Sequence, residues 1–343
     1  MREPFTIGGA TIAAGTRETI DLPLTMLSTH TPMTLPVHVV HGRREGPVLF
    51  VSAALHGDEI NGVEIIRRLL KAPQMAHLKG TLIAAPIINV YGFISHIRYL
   101  PDRRDLNRSF PGAAGGSLAG QLANLFMTEI VSPASLGIDL HTGAIHRTNL
   151  PQIRLSPEDQ DLKQLAKAFG APVILRSPFR EGSLRAAAME KKVPVLVYEA
   201  GEALRFDEHS IRVGVTGVLR VMSKIGMIAR LRRHAAPKPV VAKSSYWVRA
   251  PASGIVRTFV RMGAVVHDGE QLGIVSDPFG EQETTIIARN EGILVGRSNL
   301  PVVNQGDALY HIARLEPNVA REDAEELLED HFNSFDPDRV SAT

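Results

Sequence analysis

Three near-continuous apolar runs, each stopping at a residue that carries chemistry, constrain this chain more than any other feature. Pro47-Val-Leu-Phe-Val-Ser-Ala-Ala-Leu55 stops at His56, Leu136-Gly-Ile-Asp-Leu140 at His141, and Val193-Pro-Val-Leu-Val-Tyr198 at Glu199. Runs of strand length that are apolar throughout, rather than alternating, belong to strands buried on both faces. Segments with helical punctuation separate them. Ile60, Val63, Ile66 and Leu70 recur at helical spacing, and 118–130, 183–192 and 208–225 read as helices. A further amphipathic helix is expected over 157–169, capped by Ser156 with Pro157 at its first position. The alternation from 47 to about 227 predicts an α/β fold: a mixed, mainly parallel sheet with helices on both faces. Open sheets of this kind keep their ligand sites at the carboxyl ends of strands, where His56, His141 and Glu199 stand.

Composition removes several function classes. The chain has 343 residues, 38 Lys and Arg against 36 Asp and Glu, and a formal charge of +2. The charges are interspersed, so neither a nucleic-acid nor a membrane partner is expected. No apolar run approaches the length of a transmembrane helix, and the N-terminus lacks the apolar core of a signal peptide. A cytoplasmic location follows as the default. With no cysteine, disulfides and thiolate ligands are excluded, so any metal must rest on His, Asp or Glu.

Five regions are read along the chain. Residues 1–45 carry β-type runs, Phe5-Thr-Ile-Gly-Gly-Ala-Thr-Ile12 and Leu35-Pro-Val-His-Val-Val40, expected to join the main sheet at its edge. Residues 46–230 are read as the main α/β domain. A basic, Pro-containing stretch over 231–240 reads as a linker. Residues 241–315 are a small β barrel or sandwich with an internal repeat: Ala250-Pro-Ala-Ser-Gly254-Ile-Val is echoed by Ala288-Arg-Asn-Glu-Gly292-Ile-Leu at an offset of 38 residues. Val266-His-Asp-Gly269-Glu-Gln-Leu is likewise echoed by Val303-Asn-Gln-Gly306-Asp-Ala-Leu, 37 residues on. The last region, 316–343, is an acidic helical tail, read as solvated or docking.

A metal hydrolase needs ligands, an open position for water, a base, and a cation for the developing oxyanion. His56 and Glu59 are three residues apart where a strand turns into a helix, so both can face one ion. His141 supplies a third ligand 82 residues beyond Glu59, a spacing that fits two near ligands and one distant. Asp139 or a backbone carbonyl would orient a ligand histidine. Glu199 is a candidate base, with Glu202 a weaker competitor. Asp105-Leu-Asn-Arg-Ser-Phe-Pro-Gly112 sets Asn107 beside Arg108, an amide and a guanidinium able to hold a substrate or polarise its carbonyl. Arg98, Arg103, Arg104, Arg154 and Arg185 are further loop or strand-end cations, which together suit an anionic substrate. The remaining histidines are assigned structural roles, His146 least firmly because it lies near His141.

In order, His56-Gly-Asp-Glu59, Asp105-Leu-Asn-Arg108, Asp139-Leu-His-Thr-Gly143 and Tyr198-Glu-Ala-Gly201 resemble the succinylglutamate desuccinylase/aspartoacylase family of zinc carboxypeptidase-like metallohydrolases. The resemblance implies one zinc ion per chain on His56, Glu59 and His141. It makes Glu199 the base that activates zinc-bound water, and Asn107 and Arg108 the substrate-binding pair. Arg98 and Arg185 resemble further family arginines that contact substrate, with Arg103 a competitor for the first. The 241–315 region resembles the biotinyl/lipoyl type of β barrel, but Asp277-Pro-Phe-Gly280 stands where a carrier would place its modified lysine. A structural role, screening the mouth of the site, is expected for it.

The implied function is zinc-dependent hydrolysis of the amide bond of an N-acyl amino acid or related small acyl amide. The partner is thus a small molecule, and self-association into a homo-oligomer is compatible with the sequence. The alternative is a metallocarboxypeptidase acting on a peptide or peptidoglycan-like C-terminus.

Overall fold

The computed structural model describes residues 2–156, 162–231, 237–316 and 319–335. A hairpin, β1 (Phe5–Ile7) and β2 (Ala10–Ile12), precedes β3 (Thr16–Met26), β4 (Pro32–His41), β5 (Arg44–Ala53), β6 (Lys79–Ala85), β7 (Leu136–Gly143), β8 (Arg147–Leu155), β9 (Val173–Arg176) and β10 (Val195–Glu202). Helices α1 (Asn61–Lys71), α2 (Val90–Ser95), α3 (Leu118–Phe126), α4 (Leu162–Phe169), α5 (Leu184–Glu190) and α6 (Glu208–Lys224) lie among them. The C-terminal part contains β11 (Val240–Arg249), β12 (Gly254–Thr258), β13 (Val265–Val266), β14 (Gln271–Ser276), β15 (Glu283–Ile287), β16 (Gly292–Ser298), β17 (Val302–Val303), β18 (Ala308–Leu315) and α7 (Arg321–Ser334). The expected start of α4, 157–161, and half of the expected linker, 232–236, lie outside the described residues. Among the described residues no helix is long and apolar enough to cross a membrane.

Twelve strands form one sheet in the order β13-β16-β18-β11-β9-β8-β10-β7-β5-β6-β4-β3. β10, β7, β5 and β6 run parallel, as do β8, β9 and β11. The β8–β10 pair and both flanks are antiparallel. The expectation of a mainly parallel sheet is corrected accordingly: the sheet is mixed, with its parallel pairing confined to two central groups. Only 144–146 separate β7 from β8, too short for the crossover a parallel neighbour requires, so the chain reverses. The first β run also departs from expectation. Gly8 and Gly9, at φ +56° and +77°, turn the chain back on itself, and β1 with β2 makes a separate two-stranded sheet.

Strand parity sorts the core. On β5, Leu49, Val51 and Ala53 enter one cluster with Ile65, Ile66 and Leu69 of α1, Phe169 of α4, and Val218 and Val221 of α6. Phe50 enters the opposite cluster with Leu122 and Phe126 of α3 and Leu184 of α5. Helices therefore cover both faces. On β7, Ile138 and Leu140 join the first cluster, which points Asp139 and His141 the other way.

The β unit is continuous with the main sheet. β11 lies between β9 and β18, and β16 also pairs with β8. The sequence repeat appears as two three-strand units that exchange partners: β12 of the first pairs with β17 of the second, and β13 of the first with β16 of the second. They close a small barrel around Val266, Leu272, Leu294 and Tyr310.

The tail helix α7 docks. Ala324, Leu328, His331 and Phe335 form its buried stripe, and Ala324 and Leu328 pack on Leu150, Leu175 and Val240. His331 is 1% exposed, and neither ring nitrogen has a hydrogen-bond partner among the described residues. Its ring sits 6.2 Å from that of His209 and 5.0 Å from that of Phe335. Burial, then His209 and Arg220, push its pKa down to about 3, against about 6.5 when undocked. Docking is therefore at full strength above pH 6.5 and weakens as pH falls toward the docked value, by about 1.4 kcal/mol per pH unit. Hydrogen exchange over 321–335, corrected for intrinsic rate, should show protection about tenfold weaker at pH 5.5 than at pH 7, and His331→Leu should flatten that dependence.

Candidate metal centre and catalytic cleft

Successive layers of the β5–β7 pair lead to the site. Phe50 pairs with Gly137, then Ser52 with Asp139, and His141 follows at the strand end. On the other side of β7, His141 is the Cα partner of Glu199 on β10. Tyr198 fixes that register. Its ring packs 4.9 Å from Phe169, and its buried hydroxyl donates to the carbonyl of Ser210 at 2.8 Å, so Glu199 must face the cleft.

His56 and Glu59 arrive from the turn between β5 and α1. Ala54 takes a left-handed conformation, φ +46°, that a non-glycine residue adopts only at a cost. Its carbonyl accepts from the Asn89 amide at 2.9 Å, and that of Ala53 from Ile88 at 3.1 Å. At Gly57 a Cβ would lie 2.0 Å from the Gly92 carbonyl carbon, so only glycine lets α2 pass this close to the turn.

His56, Glu59 and His141 are all buried, and one ligand atom from each lies within 4.8 Å of the others. Glu59 Oε1 is 2.6 Å from His56 Nδ1, and Oε2 is 2.8 Å from His141 Nδ1. Oε2 also accepts from the Thr142 amide at 3.1 Å, and Oε1 from Arg98 at 3.2 Å. The outer nitrogens are held as well. His141 Nε2 is 2.7 Å from Asp139, which accepts from the Ser52 hydroxyl at 2.8 Å. His56 Nε2 is 3.2 Å from Asp105, which accepts from Arg98 at 3.0 Å.

The electrostatics favour positive charge at this point. Burial opposes ionisation of both imidazoles, but Glu59 with Asp105 raises the pKa of His56, and Asp139 with Glu59 raises that of His141 well above the ordinary range. Burial alone would raise the Glu59 pKa; the two histidines overcome it and hold the carboxyl below the usual range. Two imidazoles and a carboxylate, with their Nδ1 atoms turned inward and their Nε2 atoms held by carboxylates, are a donor set that fits zinc. A divalent cation would take the place of the protons the histidines otherwise hold.

The trio lines a cleft of about 650 Å3 that also receives Asn107, Arg108, Arg98, Arg185 and Glu199. Glu199 Oε2 accepts from Asn149 at 2.8 Å and pairs with Arg154 at 2.9 Å. Asn107 is steadied by the Leu184 amide, which donates to its Oδ1 at 3.0 Å, while Arg108 bonds the Asn107 carbonyl. Arg98 ties Glu59 to Asp105. Arg185 donates to the carbonyls of Arg154, Ser177 and Pro178. Arg103, Arg104, His146 and Glu202 are not among the cleft-lining residues. Arg104 pairs with Asp102, and Glu202 accepts from Asn299.

Five contributions escape a residue-by-residue reading. Asp105 is the carboxylate behind His56, and its place two residues before Asn107 in the same motif was the available signal. Arg154 and Asn149, both on β8, clamp Glu199. Trp247 and His311 reach the cleft from the β unit, a placement with no local signature.

Fold and site together define an α/β protein with a buried His-Glu-His trio able to hold a metal ion at the strand ends of a mixed sheet. The model of the succinylglutamate desuccinylase/aspartoacylase catalytic domain matches residues 45–225, and the chain belongs to that family. It is 27% identical over 294 residues to N-alpha-acetyl-L-2,4-diaminobutyric acid deacetylase of Halomonas elongata, covering 82% of this chain and 86% of that one. The fold is similar to the product-bound ectoine utilization protein EutE (DoeB) from Ruegeria pomeroyi, with TM-score 0.81, 22% identity and coverage of 92% and 99%. It is also similar to a succinylglutamate desuccinylase/aspartoacylase from Rhodobacter sphaeroides, with TM-score 0.78, 22% identity and coverage of 92% and 97%.

Removing the carboxylate behind one histidine leaves the trio itself in place. Asp139→Asn should lower zinc affinity about 10- to 100-fold, read by competition with a chromophoric chelator. Asp105→Asn should act in the same direction through His56.

Proposed function

We propose that the chain is a zinc-dependent amidohydrolase that cleaves the amide bond of an N-acyl amino acid, releasing a carboxylate and an amine. The observation that carries this reading is the placement of Glu199 directly across β10–β7 from His141, in the same cleft as the buried trio. The deacetylase relative, whose substrate is an N-acetylated amino acid by its name, supports the substrate class.

His56, Glu59 and His141 would hold the metal. When bound there, zinc supplies Lewis acidity that makes water a nucleophile near neutral pH and polarises an acyl oxygen. Glu199 takes the proton from the attacking water and passes it to the departing amine. Arg154 and Asn149 hold one oxygen of that carboxylate, which leaves the other free to turn toward water. Arg108, exposed at the cleft wall, faces the developing oxyanion or a substrate carboxylate, and Asn107 binds beside it. Arg98 and Arg185 contribute by ordering Glu59, Asp105 and the 177–178 segment, as well as by lining the substrate space.

Hydrolysis of a panel of N-acetyl amino acids, with chelator and with zinc restored, tests the reading. Activity should be abolished by chelation and recovered with zinc. Glu199→Gln should retain stoichiometric zinc while losing about 10²- to 10⁴-fold in kcat. A Gln variant with wild-type turnover would remove Glu199 from the chemistry, and cleavage of C-terminal peptides in preference to acyl amino acids would replace the substrate class.

A further inference from the structure

The trio occupies the carboxyl ends of the central strands; a second cavity lies at the amino ends of β5 and β6. It has a volume of about 1230 Å3 and is bounded by the turn before β3, the β4–β5 connection, the end of α1 and the 3-10 turn Pro73–His77. Its floor is apolar: Val40, Met75 and Leu78 are buried, with Leu70 and Pro73 beside them. His41 belongs to that floor and has no free nitrogen, because Nδ1 is 2.9 Å from the Thr81 hydroxyl and Nε2 is 3.0 Å from the Glu3 carbonyl. α1 separates this cavity from the trio. It begins two residues after Glu59 and ends at Lys71, about 16 Å further on at 1.5 Å per residue.

Two glycines shape the walls. At Gly42 a Cβ would come within 2.1 Å of the Leu78 carbonyl oxygen, so only glycine lets the β4–β5 connection close against that segment. At Gly15, with φ +85°, a Cβ would lie 2.6 Å from both Cγ and Nε of Arg43. The stem of Arg43 is thus seated directly on the glycine, whose amide donates to the His41 carbonyl at 2.7 Å.

The charges around the floor have one sign. Arg17, Arg43, Arg44 and Lys71 line the cavity, and no Asp or Glu does. Arg17 reaches across from β3 to donate to the Leu70 carbonyl at 3.3 Å, which brings it beside Lys71. None of the four has an ion-pair partner among the described residues. The acids nearest in sequence, Glu18 and Glu45, are not among the lining residues, and Glu45 is held by Arg2 at 3.4 Å. Four cations gathered at one surface repel one another, and an anion among them offsets that repulsion.

We propose that this cavity is a binding site for an organic oligophosphate of nucleotide type, with its phosphates on Arg17, Arg43, Arg44 and Lys71 and its uncharged ring on the apolar floor. Planar guanidinium groups match phosphate oxygens in pairs, and the floor supplies a surface that a bare phosphate leaves uncovered.

Calorimetric titration of the zinc-loaded full chain with magnesium ATP, tripolyphosphate and adenosine tests this. ATP should bind, tripolyphosphate should bind about tenfold or more weakly than ATP, and adenosine should not bind measurably. Raising the salt from about 50 to about 200 mM should weaken ATP binding. Arg43→Ala combined with Lys71→Ala should weaken it at least about tenfold. Both side chains are exposed, so the melting temperature and hydrolysis should not change. The cleft beside the trio is also rich in arginine, so hydrogen exchange locates the ligand in the unmodified protein: ATP should protect 15–17 and 70–78 and leave 141–149 unchanged. No ATP binding, undiminished affinity in the double variant, adenosine or tripolyphosphate as tight as ATP, or protection that falls on 141–149 instead overturns the inference.

Discussion

Everything at the centre of this molecule depends on a single buried carboxylate. Glu59 is 2% exposed, and a carboxylate in that position is tolerated only if each oxygen is saturated with donors. Its two oxygens meet two imidazoles, a backbone amide and a guanidinium. The same contacts bring together β5, β7 and the loop after α2, so satisfying one charge fixes the positions of three segments distant in sequence. Asp105 and Asp139 repeat the principle one step outward. The result is a nested arrangement in which histidines screen a carboxylate and further carboxylates screen the histidines, with Arg98 and Ser52 at the outer edge. Such an arrangement can accept a cation among the two inward-turned Nδ1 atoms and the Glu59 carboxylate.

The sheet gives this arrangement its rigidity. Alternation along β7 and β10 sends Leu140 and Tyr198 into one core and His141 and Glu199 into the cleft. A slip of one residue would exchange the cleft-facing and apolar faces. The fully buried Tyr198, with its hydroxyl satisfied by Ser210, makes such a slip expensive.

Much of this was legible in the sequence. An apolar run buried on both faces must end somewhere, and a His or Glu at each end is conspicuous; His56, His141 and Glu199 were found on that ground, and Glu59 by its spacing from His56. What remained hidden was tertiary. Nothing local announces that Arg154 will clamp Glu199 from a neighbouring antiparallel strand, or that Trp247 will meet the cleft. Both depend on β8 and β11 taking particular places in the sheet, and strand order is a property of the whole chain. The same holds for the mixed pairing: short connections such as 144–146 were visible, but their consequence for strand direction needed the neighbours. The docked tail lies between these cases. Ala324, Leu328, His331 and Phe335 recur at helical spacing, a stripe weakened to the eye by its acidic surroundings and by a histidine in an apolar role.

The continuity of the sheet bears on the order in which the protein can come into being during synthesis. β9 gains its outer neighbour only when β11 has emerged, and β11 gains its own only with β18. Until then a nascent chain with the buried trio already in place carries an unpaired strand edge, and the cleft lacks the wall that holds Trp247 and His311. Completion of the cleft thus waits for β18. A chain cut short anywhere before β18 would lack the wall of the cleft that Trp247 and His311 build together.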